Sequence, residues 1–86
     1  MKKGIIVYLT DSGNLPESFS VEEAMAGLGL PGDSTVLAAG TEGFYDVEDA
    51  CHLLLTQGAQ HVSCVKARLN EAGKLEMFGD PLRLYG

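Results

Sequence analysis

No Lys or Arg occurs between Gly4 and Val65, and only two cysteines, Cys51 and Cys64, occur anywhere. No apolar run approaches the ~18–20 residues that a membrane-spanning helix needs. The missing cations disfavour nucleic-acid binding by the front of the chain, because phosphate contacts require clustered positive charge. The N-terminus offers Lys2 and Lys3 and then only residues 5–9 before Thr10 and Asp11. That is shorter than the about 7–15 apolar residues of a secretory signal. Two cysteines do not make the disulfide framework of a small secreted domain, so they read as free thiols in a reducing compartment, with one disulfide left open. A soluble cytoplasmic protein with no membrane association is expected.

What is present is ordinary globular material. The chain has 86 residues, 45% apolar and 21% charged, which argues against disorder. One domain spanning residues 1–86 is expected, since roughly 100–200 residues is the usual domain size. So short a chain buries only about two-thirds of its unfolded surface, which leaves a narrow margin over chain entropy.

The net charge of −6 is unevenly spread. Nine acids fill the cation-free stretch: Asp11, Glu17, Glu22, Glu23, Asp33, Glu42, Asp46, Glu48 and Asp49. Lys66, Arg68, Lys74 and Arg83 sit beside Glu71, Glu76 and Asp80 in the last third. The front is therefore −9, the last third +1 and the N-terminus +2. Such a surface confers solubility and steers a protein partner with a basic surface.

Hydrophobic periodicity gives the elements. Residues 5–10 are a β-branched and aromatic run without alternation, which predicts a central strand covered on both faces. Ser20 and Glu23 form a capping box at the start of a helix whose stripe is Val21, Ala24, Met25 and Leu28; Gly29 and Pro31 stop it. A second strand covers residues 34–39. Asp46 caps a second helix with the stripe Val47, Ala50, Cys51, Leu54 and Leu55, ended by Gly58. Residues 61–69 form a third strand, residues 70–74 a hairpin turn and residues 75–78 a fourth strand. Gly79, Asp80 and Pro81 predict another turn, with residues 82–85 as a short fifth strand at the edge.

The expected fold is thus a small α/β domain of order β-α-β-α-β-β. Its mixed sheet has four to five strands, with two helices and a C-terminal antiparallel hairpin. Right-handed crossovers place the first three strands side by side. Two helices leave one sheet face partly open, which a homodimer would cover. Phe19 to Met25 also echoes Tyr45 to Cys51 in residue type at every position, at an offset of 26. Helix-start rules and a repeated strand-loop-helix unit account for this echo.

Three constellations could carry chemistry. Cys64, in the third strand, is a candidate catalytic thiol, because nearby Lys66 and Arg68 would favour its thiolate; Val62 and Cys64, however, share a face that reads as core. Cys51 occupies the place in the second helix that Met25 holds in the first and reads as a packed thiol. A metal site from Cys51, His52, His61 and Cys64 is disfavoured. Cys51 and His52 diverge by ~100° around a helix, His61 and Cys64 face opposite sides of a strand, and zinc-ligand spacings are absent. Neither metal nor cofactor is expected. The third constellation is a pair of loops beyond the carboxyl ends of strands one and two, where parallel sheets collect ligands. One carries Thr10, Asp11, Ser12, Gly13 and Asn14; the other carries Thr41, Glu42, Gly43, Phe44 and Tyr45. Neither matches G-x-G-x-x-G or a P-loop, and their acids repel phosphate.

The element order, together with Pro31-Gly32-Asp33-Ser34-Thr35-Val36-Leu37, resembles the TusA/SirA-like sulfur carriers. That family's active cysteine lies in Cys-Pro-x-Pro at the mouth of the first helix. Here the stretch is Leu15-Pro16-Glu17-Ser18, with Leu15 in the cysteine's place. Leu53-Leu54-Leu55-Thr56-Gln57-Gly58 leading to Val62-Ser63-Cys64 is similar to the helix-to-strand step of DsrE-like proteins. That resemblance implies a sulfur-accepting role for Cys64. Three functions follow as expectations, the third being small-anion or nucleotide binding at the two Gly-containing loops. One is a non-catalytic binding or adaptor module with a protein partner. The alternative is a persulfide carrier using Cys64, with Lys66 and Arg68 lowering its pKa.

Overall fold

A computed structural model describes residues 2–10, 13, 15–41 and 44–86. The order is β1 (Lys3–Leu9), α1 (Val21–Ala26), β2 (Ser34–Gly40), α2 (Val47–Thr56), β3 (His61–Leu69) and β4 (Leu75–Tyr85). These strands form one mixed sheet in the spatial order β2-β1-β3-β4. β1 runs parallel to both neighbours, β2 and β3, and β4 returns antiparallel to β3. The apolar run without alternation is therefore central, as its pattern predicts.

The winding reverses at β1. The first crossover steps from β1 to β2, and the second steps back over β1 to β3. Right-handed crossovers in opposite directions put their helices on opposite faces. Accordingly there are two cores. Ile6, Ala39, Ala50, Leu54 and Val62 are buried beneath α2. Val7, Leu9 and Ala67 are buried on the other face, under Met25 of α1 and Leu15, Leu28, Leu30 and Phe44 around it. Each face of the sheet thus has one helix, rather than both helices sharing a face.

The two helices differ in what they bury. α2 buries Ala50 and Leu54 completely, while α1 has six residues and buries none. Its start is nevertheless as the sequence dictates, since the Ser20 hydroxyl accepts from the Glu23 N–H at 3.3 Å. It stops at Gly27, earlier than the apolar stripe suggests, and Leu28 packs into the core from the turn that follows. The Leu28 N–H closes that turn on the Met25 carbonyl at 3.1 Å.

α2 sits close to β1 because Gly4 is beneath it. A Cβ on Gly4 would lie 2.8 Å from Leu54 Cδ1 and 3.2 Å from Leu54 Cβ. Leu54 is fully buried, so it has nowhere to move. Ala39 and Ala50, both fully buried, keep the rest of this contact shallow.

The predicted turn at residues 79–81 is instead part of β4. Cys64 faces Leu82 and Lys66 faces Phe78, so Val65 stands opposite Gly79, Asp80 and Pro81. The backbone bulges there, with Gly79 at φ +74°, a conformation that glycine adopts without strain. Pro81 lacks an amide hydrogen, which an edge strand tolerates. Four strands result, and residues 82–85 extend the fourth. The hairpin before it is the predicted one. Asn70 Oδ1 accepts from the amides of Ala72 and Lys74, each at 3.0 Å, and Gly73 takes φ +78°.

The contact under α2 can be tested by urea unfolding. Leu54→Ala should lower stability by about 2–5 kcal/mol through the cavity it leaves, and Gly4→Ala by about 1–3 kcal/mol through overpacking. The double variant should lose less than the sum, because the added methyl occupies part of the vacated space. Strict additivity would show that the two residues do not share this contact.

Candidate functional site

The strand pairing fixes where each sequence candidate lies. Ile6, Cys64 and Leu82 are register partners across three strands, on the face beneath α2. Cys64 is partly buried against the Ile6, Leu54 and Val62 cluster, and both cysteines are free thiols. Burial pushes the Cys64 thiol pKa up, and Lys66, pulling the other way, does not cancel it. The thiolate needed for sulfur chemistry is therefore disfavoured at neutral pH.

Lys66 and Arg68 follow Cys64 on the same face, one and two alternations further along β3. Lys66 is exposed, between Tyr8 of β1 and Phe78 of β4. The Arg68 guanidinium lies 5.1 Å from the centre of the Phe78 ring, a cation–π distance. Four residues of strand separate it from the thiol by about 13 Å of backbone. Phe78, rather than Cys64, is thus the neighbour that accounts for the Arg68 position. Cys51 packs from α2 onto the same core as Cys64.

His61 is on the other side of the sheet. It pairs with Lys3 and lines a cavity on the face that α1 covers, whereas Cys64 faces α2. A Cys–His pair of the kind that activates a thiol is excluded for these two residues by strand alternation. Among the described residues no group of three or more His, Cys, Asp or Glu side chains is placed to hold a metal ion.

Of the two candidate ligand loops, Asp11, Ser12, Asn14, Glu42 and Gly43 lie outside the described residues. The structure does bring the loops together, since a Cβ on Gly13 would be 3.9 Å from Thr41 Oγ1. It also closes the gap between β1 and β3 at their carboxyl ends, where the winding reverses and ligands commonly bind. There the Thr10 amide donates to the Ala67 carbonyl at 3.0 Å, and its hydroxyl donates to the same oxygen at 3.3 Å.

A different surface was not singled out by the sequence. β4 extends beyond the cover of α2, and Leu82 and Tyr85 on it are 62% and 51% exposed. A groove of about 540 Å³ runs between α2 and Leu84, which shares its strand face with Leu82; Val47, Glu48, Cys51, His52 and Leu55 line it from the helix. The helix residues of this groove were legible as an apolar stripe. Their partner on β4 was not, because a second irregularity places both Leu84 and Tyr85 opposite Val62, which simple alternation does not foresee.

No family model, curated protein or solved structure matches the chain. No helix among the described residues is long and apolar enough to cross a membrane.

The thiol chemistry has a direct check. In a Cys51→Ala background, the iodoacetamide alkylation rate of Cys64 should rise with an inflection above the ~8.5 of a free thiol. Burial makes the folded state keep this proton to higher pH than the unfolded chain does. The associated stability is full below the ordinary thiol range and is lost as pH rises through the folded value. An inflection below that of free cysteine, with gain of a sulfur atom from a persulfide donor, would establish Cys64 as a sulfur acceptor.

Proposed function

We propose that this domain is a protein-binding module that docks a partner in the groove between α2 and the end of β4. The observation that carries the reading is the exposure of Leu82 and Tyr85 next to that groove. Large apolar side chains that cluster on a surface, rather than scatter singly, are characteristic of interaction sites. The groove itself is walled by Val47, Cys51, Leu55 and Leu84.

Charge selects the partner. Glu48 lines the groove, and Glu48 and Asp49 form the acidic first turn of α2. Asp46 precedes that turn as its exposed N-cap residue. With the chain at −6 overall, the matching surface is an apolar ridge flanked by Lys or Arg. Attraction of this kind speeds encounter and weakens with salt. Persulfide transfer through Cys64 has less support, because the thiol is partly buried and its pKa is raised.

The test is site-specific photo-crosslinking from position 82 in cells, followed by calorimetry with the purified partner. A basic partner is expected, with affinity that falls as salt rises and falls about tenfold in Leu82→Ser, as for a residue at the centre of an interface. Crosslinks only to a second copy of the chain would make the groove a dimer interface instead. An affinity unchanged by Leu82→Ser would overturn the assignment of the site.

A further inference from the structure

The opposite face of the sheet carries a second concavity of a different kind. α1 has only six residues, and the amino-terminal ends of β1, β2 and β3 remain open on its side. A cavity of about 630 Å³ lies there, within the range of small-molecule sites.

The strand register explains its lining. Ser34, Lys3 and His61 form one row across β2, β1 and β3, because Lys3 pairs with both of the others. Ile5, Ser63 and Arg83 form the next row across β1, β3 and β4. Alternation points both rows to the same face, and all six residues line the cavity. Leu30 and Pro31 from the turn after α1 and Val65 from β3 complete an apolar floor.

Two features of this lining run against the rest of the molecule. In a chain of net charge −6, the cavity has Lys3, Arg83 and His61 around it and, among the described residues, no Asp or Glu side chain; Gly86 also lines it, against His61. Asp33 and Asp80 flank it in sequence without lining it. The Ser34 hydroxyl oxygen, moreover, is buried without a hydrogen-bond partner. A buried polar atom normally has such a partner, and this one belongs to a residue in the wall of the cavity.

We propose that this cavity binds a small amphiphilic anion, a carboxylate or phosphate head on a short apolar body. Arg83 and Lys3 neutralise the head, Arg83 with the forked donor geometry that suits both head groups. The Ser63 hydroxyl donates to it, and Ile5, Leu30 and Val65 receive the apolar body. The site lies on the other face of the sheet from the docking groove and is independent of it.

Amide chemical shifts of the ¹⁵N-labelled chain, titrated with octanoate and with octyl phosphate, test the proposal. Saturable shifts are expected at Lys3, Ile5, Ser63 and Arg83, and the tighter of the two probes identifies the preferred head. Octanol and inorganic phosphate, each offering half of the ligand, should bind about tenfold more weakly, the scale of one charge-assisted hydrogen bond. Lys3→Gln and Arg83→Gln, both at exposed positions, should each weaken octanoate by a similar factor, while Arg68→Gln on the other face leaves it unchanged. Shifts confined to the α2 face, no saturation by either probe, or an equal loss in Arg68→Gln would each overturn the proposal.

Discussion

The approach of α2 to the sheet rests on Leu54, which lies over the one position in β1 that has no side chain. With Gly4 below and Ala39 and Ala50 alongside, the helix comes near enough for Leu54, Ile6 and Val62 to be removed from water completely. Each such residue contributes roughly 1.5–3 kcal/mol of burial, a large share in a domain this small. That contact holds β1, β2 and β3 under one helix, while β4 is secured by its pairing with β3 and by Leu75 and Leu84 packing on the two cores. The α1 face is looser. α1 buries no residue, and the core there depends on side chains from turns, such as Leu28 and Leu30.

Most of this architecture was written in local pattern. The central strand showed as an apolar run, the first helix as a capping box, the hairpin as Asn70 to Lys74, and the parallel order as alternation of strand and helix. What local pattern could not give was the path of the last strand. Gly79, Asp80 and Pro81 are turn residues by composition, and only pairing with β3 absorbs them as a bulge. The bulge decides which face Leu82, Arg83 and Leu84 present, so the β4 side of both proposed binding surfaces lay beyond reach of sequence periodicity. Cys64 was the reverse case. Its residue type and its neighbours Lys66 and Arg68 were plain, but whether burial or charge governs the thiol depends on how deeply Ile6, Leu54 and Val62 enclose it.

The same sheet separates two electrostatic environments. One face offers an apolar groove bordered by the acidic start of α2. The other offers a cavity whose charged side chains are basic. Strand alternation keeps them apart, since neighbouring residues such as Arg83 and Leu84 serve different faces. A net charge of −6 therefore describes neither surface; the local sign is set by which residues the register gathers.

The two margins of the sheet are also unlike. β4 is broken by its bulge and by Pro81, features that deter an incoming strand. β2 is seven residues long, with no charge, no proline and no bulge; only near its carboxyl end does Tyr45 bridge to Ala39. A sheet with one open margin cannot propagate head to tail. Any growth by strand addition must join β2 to β2 about a two-fold axis and then stop, because both outer margins of the pair are blocked β4 strands. The bulge thereby leaves β2 as the margin of the sheet that is open to strand pairing.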